Sequence, residues 1–195
     1  MQSILSAAIR SLFRYGTRMF DWFVLISVAA IILVVVATTI AHIQTETPFV
    51  GTPKRVCEAM IRLARLKGDE MVCDIGAGDA RLLIAASRKA PGIRAVGFEN
   101  ALAVWLMGQA RILFTRAPVS LRFRDARYID LSQSDVIFLY LNSAMMKEME
   151  EKFAKELKPG TRIISHAFHL PNKTPILEEH IPLRRRAARI LVYEW

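Results

Sequence analysis

The stretch VCDIGAGDAR, residues 72–81, restricts this chain more than any other. A short apolar run closes on an acid, two glycines follow two positions apart, and an apolar-rich segment resumes at once. Apolar runs of this length bounded by glycine read as strands, and the segment beyond carries a helical period. Gly76 and Gly78 reach backbone angles barred to other residues, so the stretch reads as strand, tight turn, helix. Such a turn either cradles a nucleotide-like ligand or only redirects the chain. The dinucleotide fingerprint G-x-G-x-x-G fails here, because its last position is Arg81, and the phosphate loop G-x-x-x-x-G-K-[ST] is absent.

The same alternation continues downstream. The pattern predicts a helix from Thr52 as N-cap and Pro53 as first residue to about Leu66. Strands follow at 70–75, 93–99, 119–125, 134–141 and 161–168, and a Pro-rich connection leads to a last strand at 188–195. Helices fall at 80–90, 101–115 and 144–157, and Pro91-Gly92 and Lys158-Pro159-Gly160 end two of them. Strands alternating with helices predict an α/β fold with a parallel sheet, and in such sheets ligands bind at the carboxyl ends of the strands. Three acids stand at three successive strand ends: Asp74, Glu99 and Asp125. Glu99 lies about 20 residues beyond the loop, where an acid meets ribose hydroxyls in nucleotide-binding α/β folds. No lysine or arginine stands where a pyrophosphate would need one, and the loop adds Asp79. That charge balance suits a cationic ligand, such as one carrying a sulfonium and an ammonium, better than a phosphate.

On these residues the chain resembles the class I methyltransferases that use S-adenosyl-L-methionine. DIGAGDAR is similar to their first motif, with Ala80 where a third glycine is usual. TPFVGTP, GFEN, DVIFLYLNSAMM and LKPGTRIISHAFHLP further resemble the membrane-anchored protein-lysine methyltransferases, a group with mitochondrial, archaeal and bacterial members, over roughly residues 47–195. The resemblance implies a Rossmann-like sheet, mostly parallel with its last strand antiparallel, preceded by one transmembrane helix. It also implies S-adenosyl-L-methionine as cofactor. Gly76, Ala77 and Gly78 would cradle its methionine part, with Asp74 and Asp79 near the ammonium. Glu99 would take the ribose hydroxyls, with Asn100 beside it, and Asp125 the adenine amino group, with Ala126 flanking the ring. Tyr140, Leu141 and Asn142 would lie at the methyl-transfer mouth, and Thr52 and Phe49 in a closing loop. A methyl at Ala80 would narrow the approach to the cofactor.

Methyl transfer from a sulfonium is an in-line displacement that mostly requires positioning. A lysine acceptor, with a free pKa of about 10.4, must react neutral, and an apolar channel favours that form. Tyr140 and Phe168 are candidate walls. Asn142 either orients the amine or caps a helix. His166 and His169 form H-x-x-H without further ligands in sequence, a weak metal signal. Cys57 and Cys73 form no CxxC pair, which indicates neither zinc nor a disulfide framework and fits a reducing compartment.

Residues 22–41 read WFVLISVAAIILVVVATTIA without a charge. As a helix this would span about 30 Å, the thickness of a bilayer core. A cleaved signal peptide is the alternative, but its apolar core covers only about 7–15 residues. Upstream, Arg10, Arg14 and Arg18 share one helical face, a basic amphipathic pattern found at membrane surfaces and in transit peptides. The expected organisation is a basic segment at 1–21, an anchor at 22–43 and a catalytic domain at 44–195. Those three arginines, against Lys54 and Arg55 beyond the span, weakly favour a cytoplasmic N-terminus. The cofactor chemistry instead requires the domain in the cytoplasm or mitochondrial matrix, and that placement is adopted. The net charge of +9 and the run Arg184, Arg185, Arg186 and Arg189 suit solvent, an acidic lipid surface or an acidic protein. Nucleic acid is not expected, because no aromatic residues interleave the run. The leading expectation is a lysine methyltransferase for a membrane-associated protein. A lipid or quinone methyltransferase and a non-catalytic module of the same fold stand beside it.

Overall fold

The computed structural model describes residues 20–36, 49–184 and 186–195, and the chain divides into two units, Met1–Gln44 and Thr45–Trp195. In the first unit residues 20–36 form a helix, α1, whose apolar side chains, Trp22, Phe23, Ile26, Ile31 and Leu33 among them, are exposed. Among the described residues no helix is long and apolar enough to cross a membrane. The expected span extends to 43, and its part beyond 36 lies outside the described residues, as do Arg10, Arg14, Arg18 and Arg185.

The second unit is built from α2 (Lys54–Ala64), β1 (Met71–Ile75), α3 (Arg81–Lys89), β2 (Arg94–Glu99), α4 (Leu102–Thr115), β3 (Val119–Phe123), β4 (Val136–Leu139), α5 (Ser143–Glu156), β5 (Arg162–His166), β6 (Leu177–Pro182) and β7 (Ala187–Glu194). The strands form one sheet in the order β3-β2-β1-β4-β5-β7-β6, parallel from β3 to β5, with β7 antiparallel to both β5 and β6. This is the mostly parallel Rossmann-like sheet that the sequence pattern implies. β1, β4 and β5 are buried on both faces, as continuous apolar runs in a parallel sheet require. Phe138 and Ile164 face a cluster with Val56, Met60 and Leu83, while Ile137, Leu139 and Ile163 face one with Met146, Met149 and Phe153. The core thus has two layers, one on each side of the sheet.

Two local expectations are corrected. The Pro-rich connection before the last strand contains a further strand, β6. LEEHIP buries only Ile181, as an edge strand does, so it lacks the apolar run that marks an inner strand. The N-cap of α2 is Pro53, not Thr52, and no side chain caps it. Pro53 keeps an extended ψ of 146°, and its carbonyl accepts from Val56 N and Cys57 N. The Thr52 carbonyl is turned instead to the Arg81 guanidinium, 3.3 Å away.

Candidate active site

Strand order reverses between β1 and β4, and the glycine loop leaves β1 at that point, where open α/β sheets hold ligands. Gly76 (φ +71°), Gly78 (φ +58°) and Ala80 (φ +61°) are all left-handed. Gly76 N and Ala77 N both donate to the Phe98 carbonyl at 3.0 Å, which ties the loop to the end of β2. For Ala80 this backbone costs about 1–2 kcal/mol. The residue has no exposed surface and its methyl belongs to the apolar core, which offsets about 0.8 kcal/mol. A fully buried methyl lines no crevice, so the expected narrowing at Ala80 is replaced by a cost in backbone strain.

Neighbours approach the loop so closely that only glycine fits. A Cβ on Gly78 would stand 2.6 Å from the Phe49 ring, and one on Gly51 would stand 2.7 Å from the Arg81 guanidinium. Residues 49–52 therefore lie directly over the loop. From the other side, a Cβ on Gly97 of β2 would meet Ala77 Cβ at 2.7 Å, and one on Gly108 of α4 would meet the Gly78 carbonyl at 3.2 Å. Sequence reasoning passes over Gly97 and Gly108. The available signal is a glycine inside a strand and another inside a helix, which mark close backbone approach.

The acids divide by partner. Asp79 is buried, and its carboxylate accepts from Arg81 Nε at 2.8 Å and Arg81 Nη2 at 2.7 Å, with Arg111 Nη2 also at 2.7 Å. Burial alone would raise its pKa, but the Arg81 hydrogen bonds and the charges of Arg81 and Arg111 outweigh it and hold the carboxyl below its usual range. The loop's own acid is thus neutralised by two guanidinium groups that the sequence pattern does not assign to it. Asp74, by contrast, forms no salt bridge among the described residues. Burial first, then the Glu99 and Asp79 carboxylates, raise its pKa well above the carboxylate range. Glu99 is buried and accepts from Gly78 N at 3.0 Å and Ala101 N at 2.9 Å, joining the loop to the start of α4. Asp125 pairs with Arg127 at 2.7 Å, and this hydrogen bond lowers its pKa most. Asn100 also bonds Asp125, and Ala126 is buried beside it.

At the end of β4, Leu141 is buried, with its Cδ2 3.1 Å from where a Gly76 Cβ would stand. Asn142 caps α5: its side-chain oxygen accepts from Met145 N at 2.9 Å. Of its two expected roles, capping is the one seen. Tyr140 is half-buried, and its ring meets His166 at a centroid distance of 4.0 Å. Phe168, the other expected wall, is partly buried against the α5-side core. His166 is buried while His169 is exposed. Burial first, then the Arg186 charge, push the His166 pKa down to about 4.

The site suits a cationic, ribose-bearing ligand. A buried acid without a cation faces a second buried acid beside a loop shaped by glycines, and Asp74 regains its charge only when a positive group enters.

The family model of the ANTKMT methyltransferase domain matches residues 74–177. A protein-lysine N-methyltransferase of Saccharolobus islandicus is 30% identical over 139 residues, 67% of this chain and 82% of that protein. The mouse adenine nucleotide translocase lysine N-methyltransferase is 32% identical over 139 residues, 69% of this chain and 58% of that protein. A second mouse lysine N-methyltransferase, named for a subunit of ATP synthase, is 34% identical over 132 residues, 66% of this chain and 51% of that protein. The chain thus spans little more than half the length of these mouse relatives. A crystal structure of an RNA methyltransferase from Salinibacter ruber with S-adenosyl-L-homocysteine superposes with a TM-score of 0.67 at 26% identity, covering 74% of this chain and 93% of that one.

Proposed function

This chain belongs to the ANTKMT methyltransferase domain family, and on that premise we propose that it is a protein-lysine N-methyltransferase working at a membrane with S-adenosyl-L-methionine as methyl donor. The observation that carries the reading is the Asp74–Glu99 acid pair at the glycine loop, with Asp74 left without a cation. Asp74 holds the ammonium of the donor. Glu99 keeps its backbone partners and uses its remaining lone pairs for the ribose hydroxyls, with Asn100 beside it. Asp125 and Ala126 take the adenine, Gly76, Ala77 and Gly78 approach the methionine chain, and Phe49 and Thr52 cover it. Bound here, the donor supplies an electrophilic methyl on a sulfonium whose departure leaves a neutral thioether. Tyr140 and Leu141 line the acceptor side, where their low polarity favours a neutral amine and the Tyr140 ring attracts an arriving ammonium. Asn142 fixes the start of α5 next to them. Asp79 acts as the clamp of the loop rather than as a ligand.

The membrane part of the proposal is supported by α1, in which Asp21 is the one charge and the apolar side chains are exposed, Phe23 by 70% and Leu33 by 68%. The uncharged sequence continues to Ala41, so 22–43 serves as a single-pass anchor with the catalytic domain on the cytoplasmic or matrix side. A membrane-associated protein is the natural acceptor for an enzyme so placed, and two relatives are named for such proteins.

Methyl-labelled donor added to membranes that carry the full chain tests the reading. The expected product is Nε-methyl-lysine in hydrolysed protein. Label only in the organic extract would point to a lipid or quinone acceptor, and label in RNA would overturn the protein reading altogether. Glu99→Ala should weaken donor binding by about 10–150-fold, the worth of charge-assisted hydrogen bonds of about 1.5–3 kcal/mol. An unchanged affinity would remove Glu99 from the ribose site. A reporter fused after Trp195 reads the topology, and a periplasmic or intermembrane signal contradicts the assigned side.

A further inference from the structure

We propose that His166 is a positioning residue of the acceptor site: stacked on Tyr140, its imidazole holds that ring as the fixed wall past which the acceptor amine enters. The inference rests on Tyr140 lining the acceptor side, as proposed above, and adds what keeps it there.

β4 and β5 are parallel and in register to Leu139 opposite Ser165. One step further along both strands stand Tyr140 and His166, so both rings project from neighbouring strand ends at the carboxyl edge of the sheet. Their centroids are 4.0 Å apart and their planes are 35° from parallel. A tyrosine just past a strand end has few neighbours to choose its rotamer, and a stacked ring supplies that choice while leaving the other face open.

His166 is built for this contact and for no other visible one. The residue is 5% exposed, and its Nδ1 is buried without a hydrogen-bond partner, alone in this among the described residues. No hydrogen bond orients the imidazole; its one ring contact is Tyr140. The backbone behind it is strained. Ala167 has a φ of +72°, and Phe168 N donates across it to the His166 carbonyl at 3.0 Å, a three-residue turn of the rare left-handed kind. β7 holds that turn from the side: Ala167 N donates to the Arg189 carbonyl at 2.8 Å, and Arg189 Nη2 donates to the Ala167 carbonyl at 2.9 Å. Ser165 Oγ closes it onto the Phe168 carbonyl at 2.7 Å. Strained backbone and an orphaned buried nitrogen persist only where surroundings over-determine them, and they cluster at functional sites. Here both fall on the residue that faces the Tyr140 ring. Burial keeps the imidazole neutral, so it does not compete as a cation for the Tyr140 ring or repel an ammonium arriving on the other face.

The test uses the full chain in detergent with two readouts. Labelled-tyrosine NMR follows the ring-current displacement of Tyr140, and steady-state kinetics follow methylation of the blocked peptide acetyl-AAKAA-amide. His166→Ala should abolish the displacement and raise the peptide KM about five- to twentyfold, the scale of a lost cation–π contact, with donor Kd unchanged. His166→Phe, which restores a neutral ring, should recover both. In a Tyr140→Ala background, His166→Ala should leave KM where it is. A Tyr140 signal unmoved by His166→Ala, or a Phe variant that folds yet behaves as Ala does, overturns the inference. If the wild-type chain binds donor but methylates no peptide and no membrane protein, the lysine reading fails, while the NMR result still decides whether His166 positions Tyr140.

Discussion

Asp79 separates two views of the glycine loop. As a ligand for a cationic group it would govern binding and leave stability alone; as a clamp it would do the reverse. Its carboxylate is 2% exposed and receives three N–H bonds, two from Arg81 at 2.8 and 2.7 Å and one from Arg111 at 2.7 Å. Asp79→Asn leaves one oxygen to accept and turns an amide N–H₂ against a guanidinium, so the fork to Arg81 cannot survive intact. Breaking a buried pair costs about 3–5 kcal/mol. The guanidinium groups are 36% and 44% exposed and regain water, and exposed pairs are worth only about 0–1 kcal/mol. The position between these limits gives a loss of about 2–3 kcal/mol. At ~2–4 °C per kcal/mol for a domain of this size, the Tm should fall by about 4–12 °C. The pH sign follows from the lowered pKa. The stabilisation is present above the unfolded carboxylate range and is lost as pH falls through the folded value, so the gap between wild type and variant should close on acidification below about pH 4. Scanning calorimetry across that range, with titration of S-adenosyl-L-methionine at a temperature where both proteins are folded, decides the matter. Donor affinity should change by no more than about fivefold. A variant that keeps the wild-type Tm but loses about a hundredfold in affinity would refute the clamp and make Asp79 a ligand.

Asp74→Asn should behave in the opposite sense. Its folded pKa is raised, so its contribution is full below the unfolded pKa and is lost as pH rises. The amide variant should therefore be more stable at pH 7 yet bind donor about 10–150-fold more weakly. Donor binding to the wild type should release a proton while Asp74 is still protonated in the free protein, seen as binding enthalpies that vary with buffer ionisation heat; no such variation below pH 7 would count against Asp74 as the ammonium partner. Gly97→Ala places a Cβ 2.7 Å from Ala77 Cβ, which cannot yield without moving the loop. It should cost about 1–3 kcal/mol and weaken donor binding, and a neutral result in both denaturation and titration would show the loop to be slack. Burial first, then the Asp74 and Asp79 charges, push the Cys57 thiol up to about 11. At pH 8 roughly one molecule in a thousand carries the thiolate, so iodoacetamide should leave Cys57 unmodified in the native protein, as read by mass spectrometry.

The sequence by itself determined the layered α/β fold, because strands buried on both faces must be apolar throughout and each needs a helix to return the chain. VCDI, VIFLYL and RIISH carry that requirement locally, and so do the glycines that turn β1 into α3 and the acids at the ends of β1, β2 and β3. It could not show β6, whose exposed residues lack the pattern of an inner strand, nor the cap of α2, which depends on where the Thr52 carbonyl finds a donor. Tertiary structure alone decided which acid stays uncompensated. Asp79 and Asp74 both read as negative charges at the loop, but Arg111 arrives from α4 and joins Arg81 on Asp79. It likewise set Gly97 and Gly108 against the loop and Tyr140 against His166. Local periodicity depends on residues two to four apart, whereas these contacts join positions brought together by the order of strands in the sheet, which no short stretch of the chain encodes.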